Sequence, residues 1–191
     1  MRTVISILVV SAVALVSGAS IAAAASPQQT VNGTLITRPS NTLAPGSTVS
    51  ASKLFGNRVF TDGNHGFALV QTGQAQYPAA TVNGGKTWKT DGPALHLNAA
   101  QAPLAVVYIG AAGQKTIFAW GTGQVIDTTS DGGKHWYRAT FNGVPVAVVK
   151  NPQSHLVAFV DGETGGSASP VQYVSKNGGK TWRLDNTIGG S

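Results

Sequence analysis

One eight-residue phrase occurs three times in the chain and constrains its fold more than any other feature. The phrase runs from Thr81 to Trp88, from Thr129 to Trp136 and from Ser175 to Trp182. Its pattern is Ser/Thr, any residue, Asp/Asn, Gly, Gly, Lys, any residue and Trp. Successive copies begin 48 and 46 residues apart, a period typical of one propeller blade. The spacing therefore predicts a repeat architecture of three units.

The residue types of the phrase are those that a rigid hairpin needs. Consecutive glycines supply positive φ angles, and the Asn or Asp before them hydrogen-bonds backbone amides ahead of it. The Ser or Thr hydroxyl caps the same loop, and the Trp starts the return strand with a large apolar face and an indole NH. We predict a scaffold role for Thr81, Asn83, Gly85 and Trp88, for Thr129, Asp131, Gly133 and Trp136, and for Ser175, Asn177, Gly179 and Trp182.

Around each phrase the sequence predicts four short strands separated by turn residues. Continuous apolar runs such as Phe67–Val70 and Leu156–Val160 indicate strands that are buried on both faces, as in stacked sheets. Charged residues make up only 10% of the chain and Gly numbers 24, which fits a turn-rich all-β protein. We predict an all-β, β-propeller-like domain over residues 51–191, with about three four-stranded blades at about 51–95, 100–142 and 143–191.

The amino terminus has the layout of a secretory signal peptide. Arg2 precedes an apolar stretch from Val4 to Val16, and small residues follow up to Ala25. This pattern predicts cleavage after Ala25 and a secreted or extracytoplasmic protein. An uncleaved membrane anchor is the alternative, because Val4 to Ala25 is nearly long enough to span a bilayer.

Residues 26–50 are rich in Pro, Ser and Thr and are predicted to form a linker. The linker contains Asn32-Gly33 between β-forming residues, which is a short-range hairpin signal. An ordered turn is favoured there. A decayed fourth copy of the phrase and a strand that docks on another blade are the alternatives.

The three phrases resemble the Asp-box, or bacterial neuraminidase repeat, of the sialidase-like β-propeller superfamily. Asn83 and Asn177 replace the usual Asp, and His135 replaces the usual Thr. The family includes sialidases, sortilin-type receptors, some glycosidases and photosystem II assembly-factor-like proteins. The resemblance implies that each box lies between the third and fourth strands of a blade, away from any active site.

The catalytic residues that a sialidase would imply are scarce in this chain. Such an enzyme uses three arginines, a Tyr–Glu pair and an Asp acid. Beyond the predicted signal peptide the chain has four arginines, and its one glutamate is Glu163. General glycoside hydrolysis needs two carboxylates, and Asp131 is already placed in a box. We therefore predict that the protein is not an enzyme, with a glycosidase as the minority alternative.

Metal and cofactor sites are not indicated. The chain has no cysteine, so thiolate sites and disulfides are excluded. The four histidines show no ligand spacing. Asp161-Gly-Glu163, in a Gly/Ser-rich insertion, is a weak cation candidate, and a solvated loop is favoured.

Repeated basic residues give the chain one candidate binding surface. The net charge is +6, without any basic run, so nucleic-acid binding is disfavoured. A lysine occupies the same position in every box, and an arginine follows two of the tryptophans. A rim of such cations could meet an anionic glycan, a cell-wall polymer or an acidic protein surface. The favoured interpretation is that the lysines only keep the turn tips soluble. The rim residues are Lys86, Lys134, Lys180, Arg138 and Arg183.

Blade count bears most directly on partners. Closed propellers usually have four to eight blades, so three blades predict an open stack with an apolar face exposed at each end. We expect two chains to combine into a closed six-bladed ring. A monomer capped by its amino-terminal segment and docking on a separate protein partner are the alternatives.

The predicted function is an exported, non-enzymatic binding or assembly module. The alternative is a degenerate sialidase-like protein that binds glycans, or a glycosidase.

Overall fold

The computed structural model describes residues 29–97, 105–162 and 170–185. These residues form fifteen strands in three antiparallel sheets, with one short 3₁₀ helix at Ala51–Lys53. Each sheet contains one box in the hairpin between its third and fourth consecutive strands. The predicted all-β, propeller-like fold with three blades is confirmed.

The blades follow one another along the chain, and each is a four-stranded meander. Blade 1 consists of β4 (Leu54–Phe60), β5 (Gly66–Thr72), β6 (Ala75–Thr81) and β7 (Trp88–Thr90). Blade 2 consists of β8 (Val106–Ala111), β9 (Ile117–Gly121), β10 (Val125–Thr129) and β11 (Tyr137–Thr140). Blade 3 consists of β12 (Val144–Lys150), β13 (Leu156–Asp161), β14 (Val171–Ser175) and β15 (Thr181–Leu184).

The segment predicted as a linker adds a fifth strand to every blade. Strand β1 (Thr30–Asn32) pairs with β15 of blade 3, β2 (Thr34–Leu35) with β11 of blade 2, and β3 (Thr48–Val49) with β7 of blade 1. The linker interpretation is corrected for these residues, because their backbone groups are used in three sheet edges. The blades are therefore five-stranded instead of four-stranded.

The Asn32-Gly33 signal marks the step from one blade to the next and does not form a hairpin. Gly33 donates its backbone NH to the Lys180 carbonyl in blade 3, and a methyl group on Gly33 would lie 3.1 Å from Tyr137 Cβ in blade 2. Glycine suits this position because the two blades converge closely on the chain. The docking-strand alternative describes this stretch correctly.

Apolar side chains hold the stack together in clusters between consecutive blades. Phe67 and Leu69 of blade 1 pack with Trp136 of blade 2, while Ile126 of blade 2 packs with Trp182 of blade 3. Each of these box tryptophans thus points toward the preceding blade. We call the face toward the preceding blade the leading face and the opposite face the trailing face.

The two ends of the stack differ. On the leading face of blade 1, Trp88 is buried and Leu43 and Val49 of the amino-terminal segment pack against its cluster. On the trailing face of blade 3, Val149 is 45% exposed. The expectation of an exposed apolar face at each end is therefore wrong for blade 1. There the amino-terminal segment covers apolar area that would otherwise meet water.

Several predictions fall outside the described residues. They concern the signal peptide at 1–25, its cleavage and Glu163. The outer boundaries of the predicted domains also stay predictions. In the described part of the chain, no helix has the length and apolarity that crossing a membrane requires.

Candidate functional site

Each box forms the same small network of hydrogen bonds around its first Ser or Thr. In box 1 (Thr81–Trp88) the Thr81 hydroxyl donates to Asn83 Oδ1 at 2.9 Å and accepts the Gly85 NH at 3.0 Å. Asn83 Oδ1 also accepts the Thr87 NH at 3.0 Å. Boxes 2 (Thr129–Trp136) and 3 (Ser175–Trp182) repeat these three bonds. The polar groups of the boxes are thus used within the turns.

The indole NH distinguishes box 2 from the other two boxes. Trp88 and Trp182 donate to the carbonyl of the second glycine of their own box, each at 3.0 Å. Trp136 instead donates to the Asp91 carbonyl of blade 1 at 2.9 Å. Box 2 is therefore hydrogen-bonded to the preceding blade, whereas the indole bonds of boxes 1 and 3 stay inside the box.

Box 3 sits directly on blade 2 through its glycine pair. A methyl group on Gly179 would overlap Thr128, and one on Gly178 would overlap Ser130. Both glycines have positive φ angles, 69° for Gly178 and 90° for Gly179. The trailing face of blade 2 therefore receives the hairpin tip of the next blade with no room for a side chain.

The trailing face of blade 3 presents the corresponding surface as an open cleft. Val174 and Lys176 occupy the positions that Thr128 and Ser130 occupy in blade 2, counted from the box. The cleft has a volume of about 680 Å³. We call it the blade 3 cleft, and its lining residues are Asn151, Gln153, His155, Val174, Lys176, Asn177, Thr181, Arg183, Leu184 and Asp185.

A second cleft, of about 410 Å³, lies between blade 1 and box 2. Gly132, Gly133 and Lys134 of box 2 form one wall, and the trailing face of blade 1 forms the other. Most of the blade 1 residues in this wall have a counterpart in the blade 3 cleft. The corresponding pairs are Ala80 and Val174, Val82 and Lys176, Thr87 and Thr181, Lys89 and Arg183, Thr90 and Leu184, and Asp91 and Asp185.

The pKa of Asp91, in the cleft between blades 1 and 2, lies well above its ordinary value. Burial, and secondly the nearby charge of Asp131, raise the pKa of Asp91 from its ordinary value of 3.8 to about 6. Its Oδ2 atom is buried without a hydrogen-bond partner. Hydrogen bonds with His135 and Thr129 outweigh burial in Asp131 and lower its pKa to about 2. The two carboxyls thus differ in their hydrogen bonding.

Arg138 does not belong to an exposed rim, which corrects the prediction from sequence. Its Nε and Nη2 atoms each lie 2.7 Å from an oxygen of Asp127, whose side chain is fully buried. Nη2 also donates to the Leu95 carbonyl. Burial raises the pKa of Asp127, with the Arg138 guanidinium acting against that rise. Arg138 therefore forms a buried, bidentate ion pair with Asp127.

The other predicted rim cations lie at the surface but do not meet in one site. Lys86, Lys134 and Lys180 are exposed, each on its own box. The Lys180 ammonium lies 5.3 Å from the centre of the Tyr137 ring, which belongs to blade 2. Arg183 is exposed in the blade 3 cleft. The cleft, with one of the predicted cations in its wall, is the strongest candidate site, and no single sequence motif indicated it.

Histidines and carboxyls of the described residues form pairs without forming a metal site. His65 Nδ1 lies 2.8 Å from Asp62 Oδ2, which also accepts from Gln114 of blade 2 at 2.8 Å. Backbone amides of His65 and Asn64 hold the pKa of Asp62 well below its ordinary value. Among the described residues, no three His, Asp or Glu side chains are grouped as a metal ion would require.

No protein-family model and no curated protein matches the chain. Among solved structures, YCF48 bound to D1 peptide is similar at 17% identity, with a TM-score of 0.46, over 84% of this chain and 44% of that chain. YCF48 from Cyanidioschyzon merolae has a TM-score of 0.46 and 22% identity, over 74% of this chain and 40% of that chain. The chain thus spans less than half the length of either structure.

Proposed function

We propose that the protein is an exported, non-enzymatic binding or assembly module that docks a protein segment in the blade 3 cleft. The observation that carries this proposal is the repetition of one surface. Its copy on blade 2 holds the tip of box 3, and its copy on blade 1 faces box 2. The third copy, on blade 3, is an open cleft of about 680 Å³. Export rests on the signal-peptide pattern of the amino terminus.

The chemistry of the cleft suits a polar peptide turn. Asn151, Gln153 and Asn177 bring amide groups that both donate and accept hydrogen bonds. Lys176 and Arg183 bring positive charge, and Arg183 can bind a carboxylate with two parallel hydrogen bonds. A protein segment with exposed backbone carbonyls or an acidic side chain would satisfy these groups.

The same cleft is poorly equipped for hydrolysis. Asp185 is the one carboxylate among its described lining residues, whereas glycoside hydrolysis generally uses two. The arginines that a sialidase would bring together belong to separate parts of the fold. Arg58 lies on β4 of blade 1, Arg138 is paired inside blade 2, and Arg183 lies on β15 of blade 3. These placements support a binding role.

Photo-cross-linking tests the proposal. A benzoylphenylalanine at Lys176, in the protein exported by its own cells, is expected to yield adducts to protein that mass spectrometry identifies. The same residue at Lys115, which is exposed on blade 2, is the matched control. Protein adducts at Lys176 and none at Lys115 support the proposal. Equal labelling at both positions, or no protein adduct, contradicts it.

Two further assays address the alternatives. A glycan array that shows specific binding, lost in Arg183→Ala, would replace the protein segment with a glycan. Turnover of a fluorogenic sialoside that is abolished by Glu163→Gln would overturn the non-enzymatic assignment.

A further inference from the structure

We infer that the segment docked in the blade 3 cleft is box 1 of a second copy of this chain, so that two chains form a closed six-bladed ring. This inference rests on the proposed function, since it names the partner for the same cleft. The evidence comes from three places, namely the free hairpin, the cleft itself and the apolar residues beside them.

Box 1 differs from the other boxes in what its glycine pair touches. Gly133 approaches Asp91 of blade 1, and Gly179 approaches Thr128 of blade 2. Around Gly84 and Gly85, the neighbouring described residues all belong to blade 1 itself. Gly85 is half-buried, whereas its counterparts Gly133 and Gly179 are buried. Among the described residues, box 1 is therefore the one box whose glycine pair meets no other blade, although the amino-terminal segment covers the apolar cluster beside it.

The blade 3 cleft resembles the surface that box 2 meets on blade 1. Lys89 and Asp91 there correspond to Arg183 and Asp185 in the blade 3 cleft. Lys134 of box 2 lies in the same cleft as Lys89, so two cations are already accommodated beside a carboxyl. Box 1 carries Lys86 at the position of Lys134. Docked box 1 would thus repeat an arrangement of charges that the chain itself contains.

Apolar residues accompany the free hairpin and the cleft. Phe60 lies edge-on to Trp88 of box 1, at 6.2 Å between ring centres, and is 46% exposed. On blade 3, Val149 pairs with Val157 on the trailing face and is 45% exposed. A head-to-tail contact would bring these two half-exposed residues to the same interface and remove apolar surface from water.

A two-fold axis between the chains would close the ring, because it seats box 1 of each chain in the blade 3 cleft of the other. A head-to-tail contact gives a ring where the rotation closes and a filament where it does not. Closed propellers contain four to eight blades, so two chains of three blades fall within that range. Each ring would then have two identical contacts between box 1 and the blade 3 cleft.

Cysteine cross-linking tests the contact, because the chain has no cysteine of its own. One exported chain carries Lys86→Cys, a second carries Arg183→Cys, and the mixture is treated with a short bismaleimide. A covalent heterodimer is expected about tenfold above the control, since contact sites in a complex face each other at roughly millimolar effective concentration. The control mixture replaces Lys86→Cys with Lys134→Cys, the corresponding position of box 2.

An internal standard calibrates the reagent. Lys89→Cys and Lys134→Cys in one chain line the same cleft, so they are expected to cross-link within the monomer. A mixed pair that yields no more dimer than its control overturns the inference, provided that this internal standard reacts.

The mass of the unmodified protein gives a second, independent reading. Light scattering on the exported chain is expected to show a dimer, and Lys176→Trp is expected to reduce it to a monomer while Lys115→Trp does not. A strictly monomeric wild-type protein at high concentration overturns the inference. If that protein still gives adducts to another protein at Lys176, the proposed function survives without the ring.

Discussion

The trailing faces of blades 2 and 3 are equivalent surfaces of the repeat, but the face of blade 2 is covered by box 3 and the face of blade 3 is open. On blade 2, Thr128 and Ser130 lie under the glycine pair of box 3, and the Tyr137 ring lies beneath the Lys180 ammonium. On blade 3 the counterparts Val174 and Lys176 line an open cleft. The difference shows that the amino acids on this surface vary with what lies against it, while the box itself stays constant.

The trailing face of blade 1 is only partly covered by the next box, which shows that the box sequence alone does not determine how closely two blades pack. Its counterparts of Thr128 and Ser130 are Ala80 and Val82, and box 2 stands off from them across a cleft of about 410 Å³. A methyl group on Gly132 would meet nothing within 4 Å. The first glycine of the pair therefore packs tightly on blade 2 and stands free of blade 1, whereas the second glycine meets the preceding blade closely in both boxes.

The largest expected effect separates the buried arginine of blade 2 from the exposed arginine of blade 3. Arg138→Ala leaves Asp127 as a buried carboxylate without its ion-pair partner, so unfolding free energy should fall by about 3–5 kcal/mol. Arg183→Ala removes an exposed side chain and should change it by less than about 0.5 kcal/mol. Urea denaturation of both variants measures the difference. Equal losses would contradict the contrast between a buried and an exposed arginine.

The next effect concerns how tightly the glycine pair is seated. Gly178→Ala adds a methyl group that overlaps Ser130, and overpacking together with the strained φ should cost about 3 kcal/mol. Gly132→Ala has a similar φ of 72° but open space around it, so about 1 kcal/mol is expected from the backbone alone. Thermal unfolding would contradict the tight seat on blade 2 if both variants lost the same stability.

Asp91 supplies a pH-dependent test of the junction between blades 1 and 2. Because its folded pKa, about 6, lies above the ordinary 3.8, the folded state binds the additional proton. Its contribution to stability is therefore full below pH 4 and is lost as pH rises toward 6. Asp91→Asn should stabilise the protein by about 2 kcal/mol at pH 7 and by little at pH 3.5. A difference between the two proteins that does not vary with pH would remove Asp91 as its source.

The sequence predicted the parts of the fold that local chemistry determines. The Gly-Gly turns, the Asx caps and the apolar runs of β5 and β13 all lie where the pattern indicated. Docking strands at β1 and β2 were only an alternative in the sequence analysis, because the strands are two or three residues long and their partners are more than a hundred residues away. Such pairing leaves no local signal, since short polar strands on a sheet edge need no apolar alternation.

The candidate site was less predictable than the fold. The lysines of the boxes were correctly placed at exposed turns, but the burial of Arg138 depends on Asp127 directly opposite it on β10. That cross-strand register could have been counted outward from box 2, where Asp127 and Arg138 flank the hairpin symmetrically. The blade 3 cleft could not have been predicted from the sequence in this way, because it becomes visible only when the three trailing faces are compared in space.

The smallest expected effect on stability concerns two box lysines, Lys180 above the trailing face of blade 2 and Lys134 above that of blade 1. Lys180 of box 3 lies over the Tyr137 ring on blade 2, and this cation–π contact should contribute about 0.5 kcal/mol at an exposed position. Lys134 of box 2 instead shares its cleft with Lys89, so Lys134→Ala should change stability by no more than about 0.3 kcal/mol. Urea denaturation of Lys180→Ala in the Tyr137 and Tyr137→Leu backgrounds isolates the contact. If Lys180→Ala costs the same in both, the Tyr137 ring contributes nothing, and the glycine pair of box 3 and the apolar cluster around Trp182 hold blade 3 on blade 2.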